Sequence, residues 1–525
     1  MKMRGLAYVS ALVLTMAGAV LLAPAAVAKR RPPPPPPPPP PPTWSTYVKN
    51  YAYVHNGVRY GVTPEEVQAT SDGGSVALSL VDRQSGGSWV VKLDSFGTPQ
   101  WQREVGCFDL PPGSYALGVS FDQTADGGYV LGGGTRGCGS ETICPYLGGL
   151  QCGLVEKLDA TGGLVWARVF SSPATNTTAL NRIMQANDGG YVAVGSVENS
   201  GQNTGVLSAL VLKLDGQGNV QWRRTLGQPG GPTDALLNDV RQTADGGYIA
   251  TGEFSAPSAC QYGHGCGQGV LVVKLDAKGG VVWQRGFNSF DGNGNPTASE
   301  HALSISQTSE GGFLVAGNWR NTTGPGTCCR GALLLKLDAN GNSQWQKAYS
   351  GGVYCFFNGY SYQCYAIGAD VYSVHPTFDG GYLLAGSGDL KLADSVPAVP
   401  WLAKVDAVGN LLWQRFYYRA HPTTGRPLSQ YFPSSDLAGG GGGYFGLGFT
   451  ENLSNGLGEL FAVKTDSAGL VGTCSEVRPA TALEAIDPAL ATVATGLPVQ
   501  TSIGEQGDSP STTRSTSIAS TPGQC

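Results

Sequence analysis

Short runs of alternating apolar and polar residues, punctuated by Gly-rich turns, recur along most of this chain. ALSISQT (302–308) alternates as a half-buried strand does, SEGG supplies a turn, and FLVAGNW (313–319) runs back. After a loop, ALLLKLD (332–338) predicts a third strand, ANGN a second turn and SQWQKAY (343–349) a fourth strand. Third strands such as LVVKL (271–275) are apolar on both faces, which suits a sheet packed between two others. No helical 3.6-residue period is evident, so the fold class is all-β.

The strand pattern is one unit written seven times. Its first turn reads SDGGS at 71, ADGGY at 125, NDGGY at 187, ADGGY at 244, SEGGF at 309, FDGGY at 378 and a degenerate GGGGY at 440. Each is followed by a second signature, VKLDSFG in the first copy and VKLDAKG in the fourth. The aspartates of that signature are Asp94, Asp159, Asp215, Asp276, Asp338, Asp406 and Asp466, spaced 65, 56, 61, 62, 68 and 60 residues apart. A period near 60 with such drift is a repeat with variable loops. The glycines answer the positive φ of hairpin turns, and Asp before Gly closes the turn on its own backbone.

Four short strands repeated seven times predict a seven-bladed β-propeller. The fourth strand carries Trp101, Trp166, Trp222, Trp283, Trp345 and Trp413, while the seventh unit has none. Trp44, in TWSTYVKNY, precedes the first unit, so an N-terminal strand carrying it is expected to complete the seventh blade and remove the open edges. The paired DGGY and KLD-x-x-G-x-x-x-W strings resemble the repeats of bacterial secreted β-propeller proteins and are similar to quinoprotein-type repeats. The resemblance spans about 44–474 and implies the fold rather than an activity.

The ends differ from this body. Residues 1–28 read as a signal peptide, with Lys2 and Arg4, an apolar run from 6 to 22 and the small-residue site Ala26-Val27-Ala28. Residues 29–43 form a basic, polyproline spacer whose run Pro32 to Pro42 makes a stiff rod about 34 Å long. Residues 44–474 are the propeller, and 475–525 are a Ser/Thr/Ala-rich, low-complexity tail without aromatics, read as weakly ordered. No later stretch is long and apolar enough to span a membrane, so a secreted protein (periplasmic, cell-surface or extracellular) is expected.

Composition narrows the function classes. Charged residues are 14% and the net charge is −5, which gives no electrostatic case for nucleic acid. Twelve cysteines in an exported chain favour disulfides. Candidate bridges are Cys260 with Cys266, Cys355 with Cys364 and Cys474 with Cys525. Cys328 and Cys329 form either a vicinal disulfide or separate bridges, and the pairing of Cys107, Cys138, Cys144 and Cys152 stays open.

Strand direction puts both kinds of tight turn on one face and all long loops, with most cysteines, on the other. Function is expected on that elaborated face. Tyr146, Tyr262, His264, Trp319, Phe356, Phe357, Tyr360 and Tyr362 are the candidate contacts. His301 and His375 lie in or near first strands, which line the channel, and read as satisfied or exposed side chains. DGNGNP (291–296) has Ala302 where a calcium loop needs Glu, so it reads as a plain loop. A structural Ca²⁺ remains allowed, and no other cofactor is expected. The resulting expectation is a binding or scaffold module for a protein or glycan at the cell surface. A quinone-dependent (PQQ) oxidoreductase or a polysaccharide-active enzyme is the alternative.

Overall fold

The computed structural model describes residues 46–82, 86–106, 115–136, 151–171, 177–198, 207–227, 234–255, 268–289, 298–321, 330–357, 362–392, 395–418, most of 421–471, and seven short strands between 477 and 522. The chain divides after Thr43, and every described residue belongs to the second unit, Trp44–Cys525. The leader and the proline run therefore lie outside the described residues. Among the described residues there is no helix at all, and so none long and apolar enough to cross a membrane.

The strands form seven antiparallel quartets in chain order. The first is Val62–Ala69, Ser75–Val81, Ser88–Leu93 and Pro99–Gly106, from the axis outward. In the fifth and sixth, an outer strand (Ser343–Phe357) and the next inner strand (Tyr362–Pro376) are long enough to pair as a hairpin. This joins the two quartets in one ten-stranded sheet. Cys355 and Cys364 stand opposite each other there and are bridged.

Buried apolar side chains fall into seven clusters, each shared by two consecutive quartets. The one that unites Tyr51, Tyr53, Phe445 and Leu460 with Val67, Ala77 and Trp89 joins the seventh to the first. The quartets are therefore blades of a closed β-propeller.

The repeated strings are explained by what each residue touches. In the turn after Gln123, Gly127 has φ +79°, and a Cβ on Gly128 would lie 2.3 Å from the Leu158 carbonyl oxygen. The first glycine is needed for its backbone and the second for close approach. The turn aspartate accepts from the second glycine's amide and pairs with the lysine of the KLD string. Lys213, almost wholly buried, lies 2.8 Å from Asp188 and donates to the Leu214 carbonyl. The glutamine before the turn serves the preceding blade: Ala125 N–H donates to Gln185 Oε1 at 2.7 Å, and Ala244 N–H to Gln307 Oε1 at 2.9 Å. The seventh unit lacks the aspartate, and Lys464 instead donates to the carbonyls of Gly73 and Ser95 in the first blade.

Closure follows the expected principle in a different register. Tyr47–His55 completes the seventh blade, with Val48 opposite Val463 and Tyr47 opposite Lys464. In the other blades the residue opposite that lysine is the tryptophan, as with Trp101 opposite Lys92. Tyr47 thus takes the tryptophan's place, and Trp44 lies outside the described residues. The reason is strand parity. A register using Trp44 would slip the strand by three residues, an odd number, and turn the fully buried Tyr51 and Tyr53 to the opposite face.

The tail departs from expectation. Its strands add a further strand to each blade's outer edge, in reverse chain order. Val477–Pro479 pairs with Leu411–Tyr417, Glu484–Ile486 with Ser343–Phe357, and Ala491–Val493 with Val281–Asn288. Val499–Thr501, Glu505–Asp508 and Thr512–Arg514 continue round the third, second and first blades. Ser517–Pro522 then pairs with the closing strand Tyr47–His55. Composition misled because it measures side-chain burial, whereas these contacts are main-chain ladders along otherwise open edges. The first three belt strands begin seven residues apart, roughly 23 Å of extended chain per blade.

A chain ending at Val471 is expected to lose on the order of 3 kcal/mol of stability as edge hydrogen bonds are removed. It is also expected to self-associate; thermal unfolding with light scattering measures both, and an unchanged melting point refutes the belt. Acid supplies a second test. Hydrogen bonds from Lys274 and Lys404 hold Asp245 and Asp379 at about 2 instead of 3.8, and Lys336 holds Glu310 at about 2 instead of 4.5. Depressed carboxylates contribute stability above their unfolded values and lose it as pH falls through their folded ones. The melting temperature is expected to drop between pH 4 and 2, and less steeply in Lys274→Met.

Candidate functional site

The inner strands share an irregularity that shapes the axis. In each of the first six blades the register to the second strand shifts by one residue, at Glu65, Val119, Asn181, Asn238, Leu303 and Tyr372. A β-bulge re-aims side chains. Five of these residues, all but Val119, line an axial cavity of about 340 Å³, with Pro433 at the seventh blade.

The residue after each bulge ties its blade to the next. Glu66 Oε2 accepts from Phe121 N–H at 2.8 Å, Asp239 Oδ2 from Ile305 N–H at 2.9 Å, and Ser304 Oγ from Val374 N–H at 3.2 Å. Asp436 Oδ2 completes the circle on Ala69 N–H at 2.7 Å. Arg182 bonds Glu66 and lies 3.6 Å from Asp239, which Arg241 also meets at 2.9 Å. Burial pulls the Arg182 guanidinium down, but Glu66, Asp239 and Asp122 together push it above its ordinary value, so it stays charged. His375 lies 3.8 Å from Asp436; burial, with Arg241 and Arg182 nearby, holds it below its ordinary value, hence neutral near pH 7. The axial charges are thus largely spent on one another. Glu65 is the exception: it has no hydrogen-bond or ion-pair partner among the described residues, and burial beside Glu66 pushes it up to about 7.

A second cavity, of about 420 Å³, opens where inner strands begin and second strands end, on the elaborated face. It is lined by Ser299, His301, Leu303, Asn318, Trp319, Arg320, Arg330 and Asp370. Arg330 is fixed by Asp370 at 2.7 Å and Asp389 at 2.5 Å, whereas Arg320 is exposed.

Of the contacts expected from sequence, Trp319 lines this second cavity, and its buried indole N–H has no partner among the described residues. Phe356, Phe357 and Tyr362 pair along the bridged hairpin. Tyr146, Tyr262, His264 and Tyr360 lie outside the described residues. So do Cys107, Cys138, Cys144, Cys260, Cys266, Cys328, Cys329, Cys474, Cys525 and the 291–296 loop. Cys152 is disulfide-bonded. Among the described residues no group of three His, Cys, Asp or Glu is arranged to hold a metal. Sequence reading missed the axial ring. The available signal was a fixed column, four residues before the Thr or Ala that opens each DGG turn, which reads Glu66, Ser120, Arg182, Asp239, Ser304 and Ser373.

No family model matches this chain, and no curated protein matches it. Among solved structures, YCF48 from Cyanidioschyzon merolae is similar. The identity is 9%, 79% of this chain and 98% of that chain are covered, and the TM-score is 0.34.

If the Glu66–Arg182 pair is a structural clasp, Arg182→Met alone strands a buried carboxylate and is expected to cost about 3–5 kcal/mol. The double variant Glu66→Met/Arg182→Met is expected to regain more than half of that. Denaturant titration of these two proteins, of Glu66→Met and of the parent checks the cycle, and additive losses would disprove the coupling.

Proposed function

We propose that this chain is an exported propeller that uses its loop-bearing face to bind a protein or glycan at the cell surface or outside the cell. The observation that carries the reading is the inequality of the two faces. On the turn face, polar side chains are consumed locally. Asp276 Oδ1, for instance, accepts from the amides of Lys278 and Gly280 in its own turn, and its counterparts in the other blades do the same. The turn face does have a hollow of about 570 Å³ between the turns at Thr124–Gly127 and Ala186–Gly189. The loop-face cavity, however, is the one that gathers an exposed arginine and a buried indole N–H without a partner among the described residues, with a bridged hairpin beside it. Concave sites with a few convergent polar groups are where ligands bind. The basic, proline-rich stretch ahead of the propeller suits a spacer that holds it away from a surface.

A glycan array and pull-down from the producing cells, run with the secreted protein, test the reading. A ligand found there is expected to bind about tenfold more weakly to Arg320→Ala at unchanged melting temperature. N-terminal sequencing of the secreted protein is expected to begin at Lys29. Retention in the cytoplasm, or binding insensitive to this cavity, would overturn it.

A further inference from the structure

We propose that Ser299, His301 and Glu253 form a nucleophilic triad that hydrolyses small carboxylic esters in the loop-face cavity. The inference rests on the reading that this cavity takes a ligand, and adds a reaction to it. Ser299 Oγ lies 3.4 Å from His301 Nε2, and His301 Nδ1 lies 3.0 Å from Glu253 Oε2. Each ring nitrogen therefore has its own partner: a hydroxyl on one side, a carboxylate on the other. That is the relation a serine nucleophile needs, and the first distance is within the looser range found before substrate binds.

Topology holds the three in place. Ser299 and His301 are two residues apart on the inner strand Ala298–Gln307 of the fifth blade, hence on one face of it. Glu253 arrives from the second strand of the fourth blade, Tyr248–Ser255, so the triad straddles a seam. Glu253 is itself positioned: its Oε1 accepts from Asn238 Nδ2 at 3.3 Å, and Asn238 is anchored on the Ala302 carbonyl at 2.9 Å. The intervening Glu300 is fully buried and bonded to Ser289 Oγ at 2.6 Å.

Charge stabilisation is at hand. Cross-strand register sets Arg320 opposite Ser299 and Asn318 opposite His301, on the same face. Arg320 is exposed, and its charge is felt at His301. Asn318 Oδ1 is taken by Val371 N–H, which leaves its NH₂ end as a donor. A guanidinium and an amide beside the nucleophile suit an oxyanion formed there.

The reaction balances without a further reagent. Ser299 Oγ bonds the ester carbonyl carbon while its proton passes to His301 Nε2. The tetrahedral oxyanion collapses, the C–O bond breaks, and the leaving alkoxide takes that proton as the free alcohol. Water, deprotonated by His301, then releases the acid and restores Ser299. The mixed lining, with Leu303 and Trp319 beside Asn318 and Arg320, and the volume of about 420 Å³ fit short acyl esters of polar alcohols, such as acetylated hydroxyls of a glycan.

The groups facing His301 are Glu253, Glu300 and Arg320, with Arg330 and Asp370 across the cavity. The Glu253 hydrogen bond outweighs burial and raises His301 above 6.5, so the basic form and turnover are expected to rise with pH through a value above 6.5. The test is p-nitrophenyl acetate hydrolysis by the full chain, together with fluorophosphonate labelling and peptide mapping. Label on Ser299 is expected, and Ser299→Ala is expected to lose it along with about 10³-fold of turnover. Glu253→Gln is expected to lower kcat and shift the pH profile down, which a merely structural pair would not do. Absence of label, or full turnover by a folded Ser299→Ala, overturns the triad. If Arg320→Ala still weakens ligand binding in that case, the binding reading survives its loss.

Discussion

Each blade is completed by its neighbour, and one contact makes this so. The outer-strand tryptophan of one blade lies over the D-x-x-G turn of the next, where a Cβ on Gly279 would come within 2.8 Å of Trp222. The same indole meets the next blade's DGGY tyrosine edge-on, as Trp222 meets Tyr248 with centroids 6.0 Å apart. An indole needs a large partner surface, and a lone four-stranded sheet offers none. The contact is therefore satisfied only when blades stack, and every blade must have a successor. A linear row would leave one tryptophan and one turn uncovered at its ends. Ring closure removes both deficits.

The seventh seam shows how firmly that requirement is held. The unit there has neither the tryptophan nor the turn aspartate, yet both interactions are replaced. Tyr47 covers Gly97, and Lys464 spans to carbonyls of the first blade. The closing strand is then held on both edges, by Gly458–Asp466 on one side and Ser517–Pro522 on the other. Because the belt retraces the blades before it reaches that strand, the last described strand secures the first.

What could be read in advance follows the range of each interaction. The DGG and KLD strings act within one hairpin, so turn and strand were legible, and the period gave the architecture. Gln185 acts on a turn 60 residues earlier, and its side chain says nothing of this alone. The closing strand was legible as a strand, but its register depended on which aromatic residues the seventh seam buries, a tertiary matter. The tail defeated composition because an edge accepts any backbone with free amides. At the candidate site, Trp319 was found by residue type. Ser299 and His301 acquire chemical meaning only once Glu253, 46 residues before Ser299, is folded against them.

The distribution of charge follows from the same ring. At the axis the inner strands converge, and all the charged groups there but Glu65 lie near one another, within a blade or across blades. Glu66 of the first blade meets Arg182 of the third, and Asp239 of the fourth meets Arg182 across the blades and Arg241 on its own strand; groups so paired lose the freedom to engage a ligand. On the loop face Arg320 is exposed, while Arg330 of the same cavity is held by Asp370 and Asp389. The ionic groups at the axis thus tie blades together, and the side chains proposed to react lie elsewhere, in the loop-face cavity. There Ser299 and His301 sit beside solvent and one blade away from the carboxylate that orients them.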